Sequence, residues 1–271
     1  MILKRKIILS MFLSSLFIFF IMFNPTSLAD LPEPKTNVGD YWNYIGVYMG
    51  TNATCNVKIV DRININVKDN IYDVFVSVAT VEGTGPGNAF LNRVETAYFC
   101  VSDGAIVKVT DFFNYTSDDL VQSSAYEYIY SPPLDMMHYP VVVGEKWENT
   151  YLFTTTDLNS GVISENQVTE SYECEKITTE FEMNKTFECY IVKKTEYIDN
   201  QKYETKYYLS EETGSEPVRL DVEYNGLNIV SLRIISYKIG GKVEKTPGFE
   251  FGMIIIVVFF VVYLKKKKSF F

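Results

Sequence analysis

Histidine is nearly absent from this sequence: His138 stands alone among 271 residues. A Ser-His-Asp triad would have to use it, yet no Gly-x-Ser-x-Gly elbow exists to supply the nucleophile. Histidine-based metal sites lack partners for the same reason. The four cysteines (Cys55, Cys100, Cys174, Cys189) never fall as Cys-x-x-Cys, which argues against a zinc site or a redox pair. An Asp-x-Asp-x-Asp-Gly calcium loop is missing. The Gly83–Gly87 stretch has neither the Gly-Lys-Ser/Thr of a P-loop nor a following helix. No cofactor is indicated. Basic charge is scarce where it would matter, because all 34 acidic residues lie between Asp30 and Glu250 with only 18 basic ones. A net charge of −16 over that stretch excludes nucleic acid, whose binding needs a basic face.

Tryptophan is also rare, and both copies sit in the same pattern. Val38-Gly39-Asp40-Tyr41-Trp42 returns as Val143-Gly144-Glu145-Lys146-Trp147, a Val-Gly-acid-x-Trp motif repeated at a spacing of 105. Each copy reads as a tight turn feeding the first strand of a β-rich unit, glycine supplying the turn and tryptophan the core anchor. One unit is therefore expected twice.

Aromatic content is 15%, with 20 Tyr and 19 Phe, which suits pleated, half-buried surfaces. Val57, Ile59, Ile63, Ile65 and Val67 keep a two-residue period, and Tyr72, Val74, Val76 and Val78 return after a turn at Asp69-Asn70. Thr84-Gly85-Pro86-Gly87-Asn88 reads as a loop. In the second unit Asn184-Lys185 and Asn225-Gly226 mark hairpins, the latter a type I′ signal. About a dozen strands and no convincing amphipathic helix make the class all-β. The expected architecture is an antiparallel curved sheet or half-barrel built from two sequence-related repeats.

The ends carry targeting information. Residues 1–29 read as a signal peptide: Lys4-Arg5-Lys6, an apolar run from Ile7 to Phe23, and a Ser27-Leu28-Ala29 cleavage site. Gly252 to Leu264 is an almost wholly apolar run followed by four lysines, which place that end inside the cell and the middle outside. The run covers only about 20 Å, so spanning needs Phe249, Phe251 and snorkelling lysines. The chain thus divides into a signal helix over 1–29, β units over 30–139 and 140–239, a linker over 240–250, and a membrane segment over 251–271.

Within that linker, Pro247-Gly248-Phe249, ahead of a short apolar helix and a basic terminus, resembles the PGF-CTERM sorting signal of archaeal surface proteins. The resemblance implies an archaeosortase-type processing enzyme as a partner, and a lipid that can replace the tail as anchor. The long Thr-rich spacer common in that family is absent here, which would hold the folded part close to the membrane. The second unit also resembles a broad group of β-rich surface lipoprotein domains related to the LolA/LolB-like curved sheets, through its opening Val-Gly-x-x-Trp, Thr186-Phe187-Glu188-Cys189-Tyr190, and a late Tyr-Tyr-x-Ser motif. It implies a curved antiparallel sheet and carries no functional residue across.

Four cysteines in an exported chain suggest two disulfides among three possible pairings. Cys55–Cys100 and Cys174–Cys189 are preferred because each stays within one unit, although a two-residue hairpin at Asn184-Lys185 would set Cys189 opposite Glu180. Asn52, Asn114 and Asn184 begin glycosylation sequons at expected turns or loops. Glu173 with Glu175, and Glu180 with Glu182, share strand faces as solvated alternation does. Tyr126, Tyr128 and Tyr130, and Tyr203, Tyr207 and Tyr208, are read first as core and second as a glycan- or acyl-binding stripe. These features point to a membrane-anchored, outward-facing envelope protein with a non-enzymatic binding or structural role, its partners a surface glycan, lipid or envelope protein. A carrier with an apolar ligand in a concave sheet is the alternative. An acidic-residue hydrolase, needing two converging carboxylates, comes third.

Overall fold

Both Val-Gly-acid-x-Trp copies make the same turn. The computed structural model describes residues 30–240 apart from 119, 199, 200 and 215. In it Gly39 and Gly144 take positive φ angles of 97° and 86°. The Gly39 N–H donates to the Ile59 carbonyl and the Gly144 N–H to the Cys174 carbonyl, both at 2.8 Å. Ile59 and Cys174 return the bond to Asp40 and Glu145 at 2.9 and 3.0 Å. Each turn therefore locks the start of one strand against the middle of the next.

Twelve antiparallel strands follow: β1 (Tyr41–Tyr48), β2 (Thr51–Val67), β3 (Asn70–Gly85), β4 (Ala89–Cys100), β5 (Ile106–Ser117), β6 (Leu120–Leu134), β7 (Lys146–Asp157), β8 (Ile163–Glu182), β9 (Lys185–Ile198), β10 (Gln201–Leu209), β11 (Arg219–Tyr224) and β12 (Leu227–Lys238). A 3-10 turn at Glu211–Thr213 is the only helical element among the described residues. Each strand pairs with its neighbour in sequence, and β1 pairs with β12 from Tyr41↔Lys238 to Tyr48↔Val230. The expected open curved sheet is thus a closed barrel. Closure removes the two edges whose unpaired N–H and C=O groups would otherwise recruit other strands. The expected terminal helices and the Pro247-Gly248-Phe249 motif lie outside the described residues.

Alternation along the strands decides what fills the barrel. On β2, Thr51, Ala53, Cys55, Val57 and Ile59 are buried while the residues between them are exposed. A twelve-stranded wall encloses more width than an eight-stranded one, whose lumen ordinary side chains just fill. Here large side chains occupy that width. Trp42, Tyr44, Tyr48, Tyr130, Tyr207, Phe99 and Phe187 are among the largest fully buried residues. Trp42, Tyr44, Phe99, Tyr207 and Phe187 expose none of their surface, so no water-sized void touches them. The tyrosine and phenylalanine enrichment of the sequence is the filling this lumen requires. Accordingly Tyr126, Tyr128, Tyr130, Tyr203 and Tyr207 belong to or pack on the core rather than forming an outer stripe.

The outer wall is charged. Lys146–Glu173 at 3.1 Å, Lys193–Glu173 at 3.8 Å, Lys206–Glu223 at 3.1 Å and Arg219–Asp221 at 2.6 Å tie neighbouring strands or positions along a strand. Lipid on this face would cost about 2–4 kcal/mol for each mid-depth lysine or arginine. Water is the solvent this wall is built for.

Two hairpins run past the barrel. A bulge between Ile59 and Asp61 turns the far half of β2 over, so that Ile65 and Val67 lie on the outer face. With Tyr72 and Val74 they pack against Tyr98, Cys100, Val107 and Ile129 in a second, separate apolar cluster. At the hairpin tip Lys68 donates to Thr154 of β7 at 3.0 Å. The β8–β9 hairpin bulges between Cys174 and Lys176, and its Glu180 and Glu182 meet Arg219 of β11 and Arg233 of β12. The expected turns here shift by one residue. Lys68-Asp69 and Met183-Asn184 carry the paired positive φ angles of type I′ turns, as Asn225-Gly226 does. The expected loop over Thr84–Asn88 also shortens, since β3 continues through Gly85.

Candidate functional site

Charges inside the barrel form two groups built to one plan. On β4, Leu91, Arg93, Glu95, Ala97 and Phe99 share the inward face, because burial alternates along the strand. Glu95 stands directly opposite Asp111 of β5. Two like charges facing each other across a ladder repel, and Arg93 bridges them. Its Nε donates to Asp111 at 2.7 Å, one terminal nitrogen to Glu95 at 3.1 Å, and the other to the Tyr48 hydroxyl at 2.6 Å.

The second group uses β8 and β9. Their register runs to Ser171↔Thr195, and one step further sets Glu170 opposite Glu196. Lys194, two residues before Glu196, contacts Glu170 at 2.6 Å and Glu196 at 3.3 Å. Tyr172 donates its hydroxyl to Glu170 at 2.6 Å. In each group two carboxylates oppose each other across a ladder, and one cation two residues away on the same strand joins them.

Both groups are largely closed to solvent, Glu196 keeping the most exposure at 11% of its side chain. Side-chain exposure is 3% for Arg93, 1% for Glu95, 1% for Lys194 and 0% for Glu170. Tyr130 lies within electrostatic reach of both groups, sensing Glu170 and Glu196 as well as Glu95. Its ring packs at 5.3 Å on both Tyr151 and Phe153, and its hydroxyl has no hydrogen-bond partner among the described residues. Glu216, buried in the β10–β11 connection, receives the Tyr44 hydroxyl at 3.4 Å.

Burial sets the electrostatics. It drives Glu95 well above the ordinary carboxylate range; Arg93 opposes this, while Asp111 and Glu216 add to it. Burial also lifts Glu196, to about 7, against the pull of Lys194 and with the help of Glu170. For Arg93, burial alone would lower the guanidinium, but Asp111, Tyr48 and Glu95 outweigh it and hold the charge. Lys194 is likewise held charged by Glu170 and Glu196 against burial.

Residues singled out from the sequence fall elsewhere. The expected disulfides are absent: no S–S bond joins any of the four cysteines, and all four are buried. Cys174 pairs with Val192 while Cys189 faces Thr178, so the two sulfurs stand several residues apart along the ladder. That is about 10 Å, beyond the reach of a disulfide. Cys55 lies opposite Val81 and Cys100 opposite Val74, seven positions apart on an intervening strand. Asn52 and Asn114 occupy strands rather than loops, on the outer wall, and Asn184 sits in its turn; all three are exposed. His138 is exposed, its Nδ1 3.0 Å from Glu145 and its ring edge-on to Trp147 at 6.3 Å. Glu173, Glu175, Glu180 and Glu182 are engaged in outer-wall ion pairs.

The buried groups escaped sequence reading because 34 acidic residues offered no way to choose among them. One signal was present. Arg93-x-Glu95 lies in phase with Leu91, Ala97 and Phe99, so a strand whose inward face is otherwise apolar carries two charges. No group of histidine, cysteine, aspartate and glutamate able to hold a metal occurs among the described residues. No protein-family model, curated protein or solved structure matches this chain.

Proposed function

We propose that this is an exported cell-envelope protein, tethered to the membrane through its C-terminal segment, whose barrel is a non-enzymatic structural or binding module. The observation that carries the reading is the filled lumen. Large aromatic side chains and two internally paired charge groups occupy the space that a ligand or substrate would need. Recognition then falls to the water-facing outer wall and to the hairpins that overhang it.

The sequence supports the location: a basic and apolar start, and a Pro-Gly-Phe motif before an apolar run and four lysines. The matched turns at Gly39 and Gly144 support two copies of a six-strand unit joined in one barrel. The carrier reading loses ground because the sheet is closed and packed. The hydrolase reading loses ground because both acid pairs lie beneath the wall, each tied to a cation. An envelope protein or a surface glycan is the class of partner that fits.

Native mass spectrometry of the protein purified from its own membranes tests this reading. A mass equal to the chain plus glycan, unchanged by organic extraction, is expected. Extra mass that organic solvent removes would reveal a bound lipid and overturn the structural module in favour of the carrier. Proteolysis of intact cells should cut the exported region, and full protection would overturn the outward orientation.

A further inference from the structure

Charge does not balance inside the barrel. Glu95, Arg93 and Asp111 together, and Glu170, Lys194 and Glu196 together, each set two carboxylates against one cation. Each triad would bear one uncompensated negative charge if fully ionised, in a place with almost no access to water. Such a charge is expensive to bury, and a shared proton removes it.

The neighbours do not supply the missing cation. Around the first triad stand Tyr48 of β1, Cys55 of β2, Tyr128 and Tyr130 of β6, and Glu216 of the β10–β11 connection. Around the second stand Tyr130 of β6, Tyr151 of β7, Tyr172 of β8, and Tyr203 and Tyr207 of β10. All of these are neutral or acidic. One oxygen of Glu95 and one of Glu196 receive no hydrogen bond among the described residues, so neither carboxylate has the full set of donors that would favour its charged form.

We infer that each acid–cation–acid triad holds, in the folded barrel, a proton that the unfolded chain gives up at lower pH, so that the barrel is firmest in mild acid and loosens as pH rises toward neutrality and above. The sign follows from linkage. A folded state that binds more protons than the unfolded chain gains stability as pH falls and loses it as pH rises. The loss begins near the ordinary glutamate value of 4.5 and, for the triad of Glu196, ends at about 7. Across that window the unfolding equilibrium constant rises about tenfold per pH unit for this triad, or roughly 300-fold in all. The proton belongs to the triad as a unit, since its members titrate together. An envelope protein built this way holds its shape when its surroundings acidify.

Urea unfolding of the full chain in mild detergent, followed by tryptophan fluorescence, tests the inference between pH 4.5 and 8.5. Wild type should lose stability steadily as pH rises. Glu95→Gln and Glu196→Gln, which keep the shape and fix the neutral form, should match wild type near pH 5 and exceed it at pH 8, flattening the profile. Glu188→Gln on the exposed outer wall removes the same charge and should leave the slope unchanged. Glutamine variants that weaken the barrel equally at pH 5 and pH 8, or a control that flattens the profile as much, would overturn the inference. If the glutamine variants do not fold, infrared spectroscopy of wild type decides alone. A carbonyl band from buried protonated carboxyl groups should persist at pH 6, above the ordinary glutamate value of 4.5, and its absence refutes the retained protons.

Discussion

Trp42 donates its indole N–H to the carbonyl oxygen of Thr213, 171 residues further along the chain, at 2.9 Å inside the core. The first strand is thereby tied to the β10–β11 connection, a contact between the two halves of the chain. Its counterpart Trp147 is only partly buried, stacks on Tyr172 at 5.4 Å, and leaves its indole nitrogen without a partner among the described residues.

The two tryptophans should therefore respond differently to the same change. Trp42→Phe strands the buried Thr213 carbonyl and opens space, and is expected to cost about 2–4 kcal/mol. Trp147→Phe keeps a ring on Tyr172 and removes an N–H that bonds to nothing described, so about 1 kcal/mol or less is expected. Urea midpoints of the two variants, read by circular dichroism, make the comparison.

Gly46 is the tightest point of the wall. A methyl group there would lie 1.9 Å from the backbone oxygen of Ser231 on β12, at the pair that closes the barrel. Backbone cannot swing aside as a side chain can, and Gly46→Ala should destabilise by about 3 kcal/mol or disrupt closure. Gly226→Ala meets no atom within 4 Å and has only its positive φ of 79° to resist it. It should cost about 1–2 kcal/mol. Thermal unfolding of both variants separates contact from conformation.

Removing a triad's cation should hurt most at high pH. Arg93→Met leaves Glu95 and Asp111 facing each other with nothing between, and Lys194→Met does the same to Glu170 and Glu196. Breaking a buried pair from one side costs about 3–5 kcal/mol when the partners stay charged. Protonation relieves the remaining acids, so the penalty should shrink toward pH 5. A deficit that is constant with pH would show that these cations matter only as packing.

All four thiols should be present and slow to react. Burial raises Cys100 and Cys174 to about 11 and Cys189 to about 12, so little thiolate exists at pH 7.5. Maleimide should label few or none of them in the folded protein. In urea without reductant it should add four labels, counted by intact mass. Two or fewer would mean that disulfides form after all.

Much of this barrel can be read from its sequence, and what cannot has a physical reason. The paired Val-Gly-acid-x-Trp motifs locate β1 and β7, because the turn glycine and the core tryptophan are both local requirements. Alternation along Val57, Ile59, Ile63, Ile65 and Val67 marks β2, yet it conceals the bulge at Val60 that moves the last three onto the outer face. A two-residue period looks the same on either side of a bulge that skips one residue. Closure is invisible for a different reason. The contact of β1 with β12 joins residues nearly 200 positions apart, and nothing in either strand alone distinguishes a barrel from a curved sheet. The cysteines misled because export and an even count suggest disulfides, whereas the hairpin register keeps Cys189 away from Cys174 whichever pair of residues makes the turn, opposite Glu180 in the expected one and Thr178 in the observed one. The triads stayed hidden because a charge facing inward and a charge facing outward are the same letter until the phase of the strand is known.

Parity has a consequence for how such a barrel can be rearranged. Each half contributes six strands, an even number, so the chain enters and leaves each half at the same pole. The segment from Asp135 to Glu145 crosses that pole between β6 and β7, where Val141 pairs with Leu31, and Lys238 ends there beside Tyr41. Copying a half therefore never reverses a strand, and needs only a short link across one end. It also makes the barrel a natural ring: joining the ends of the described chain at this pole and opening it between Tyr139 and Pro140 would exchange the order of the halves while every strand kept its neighbours.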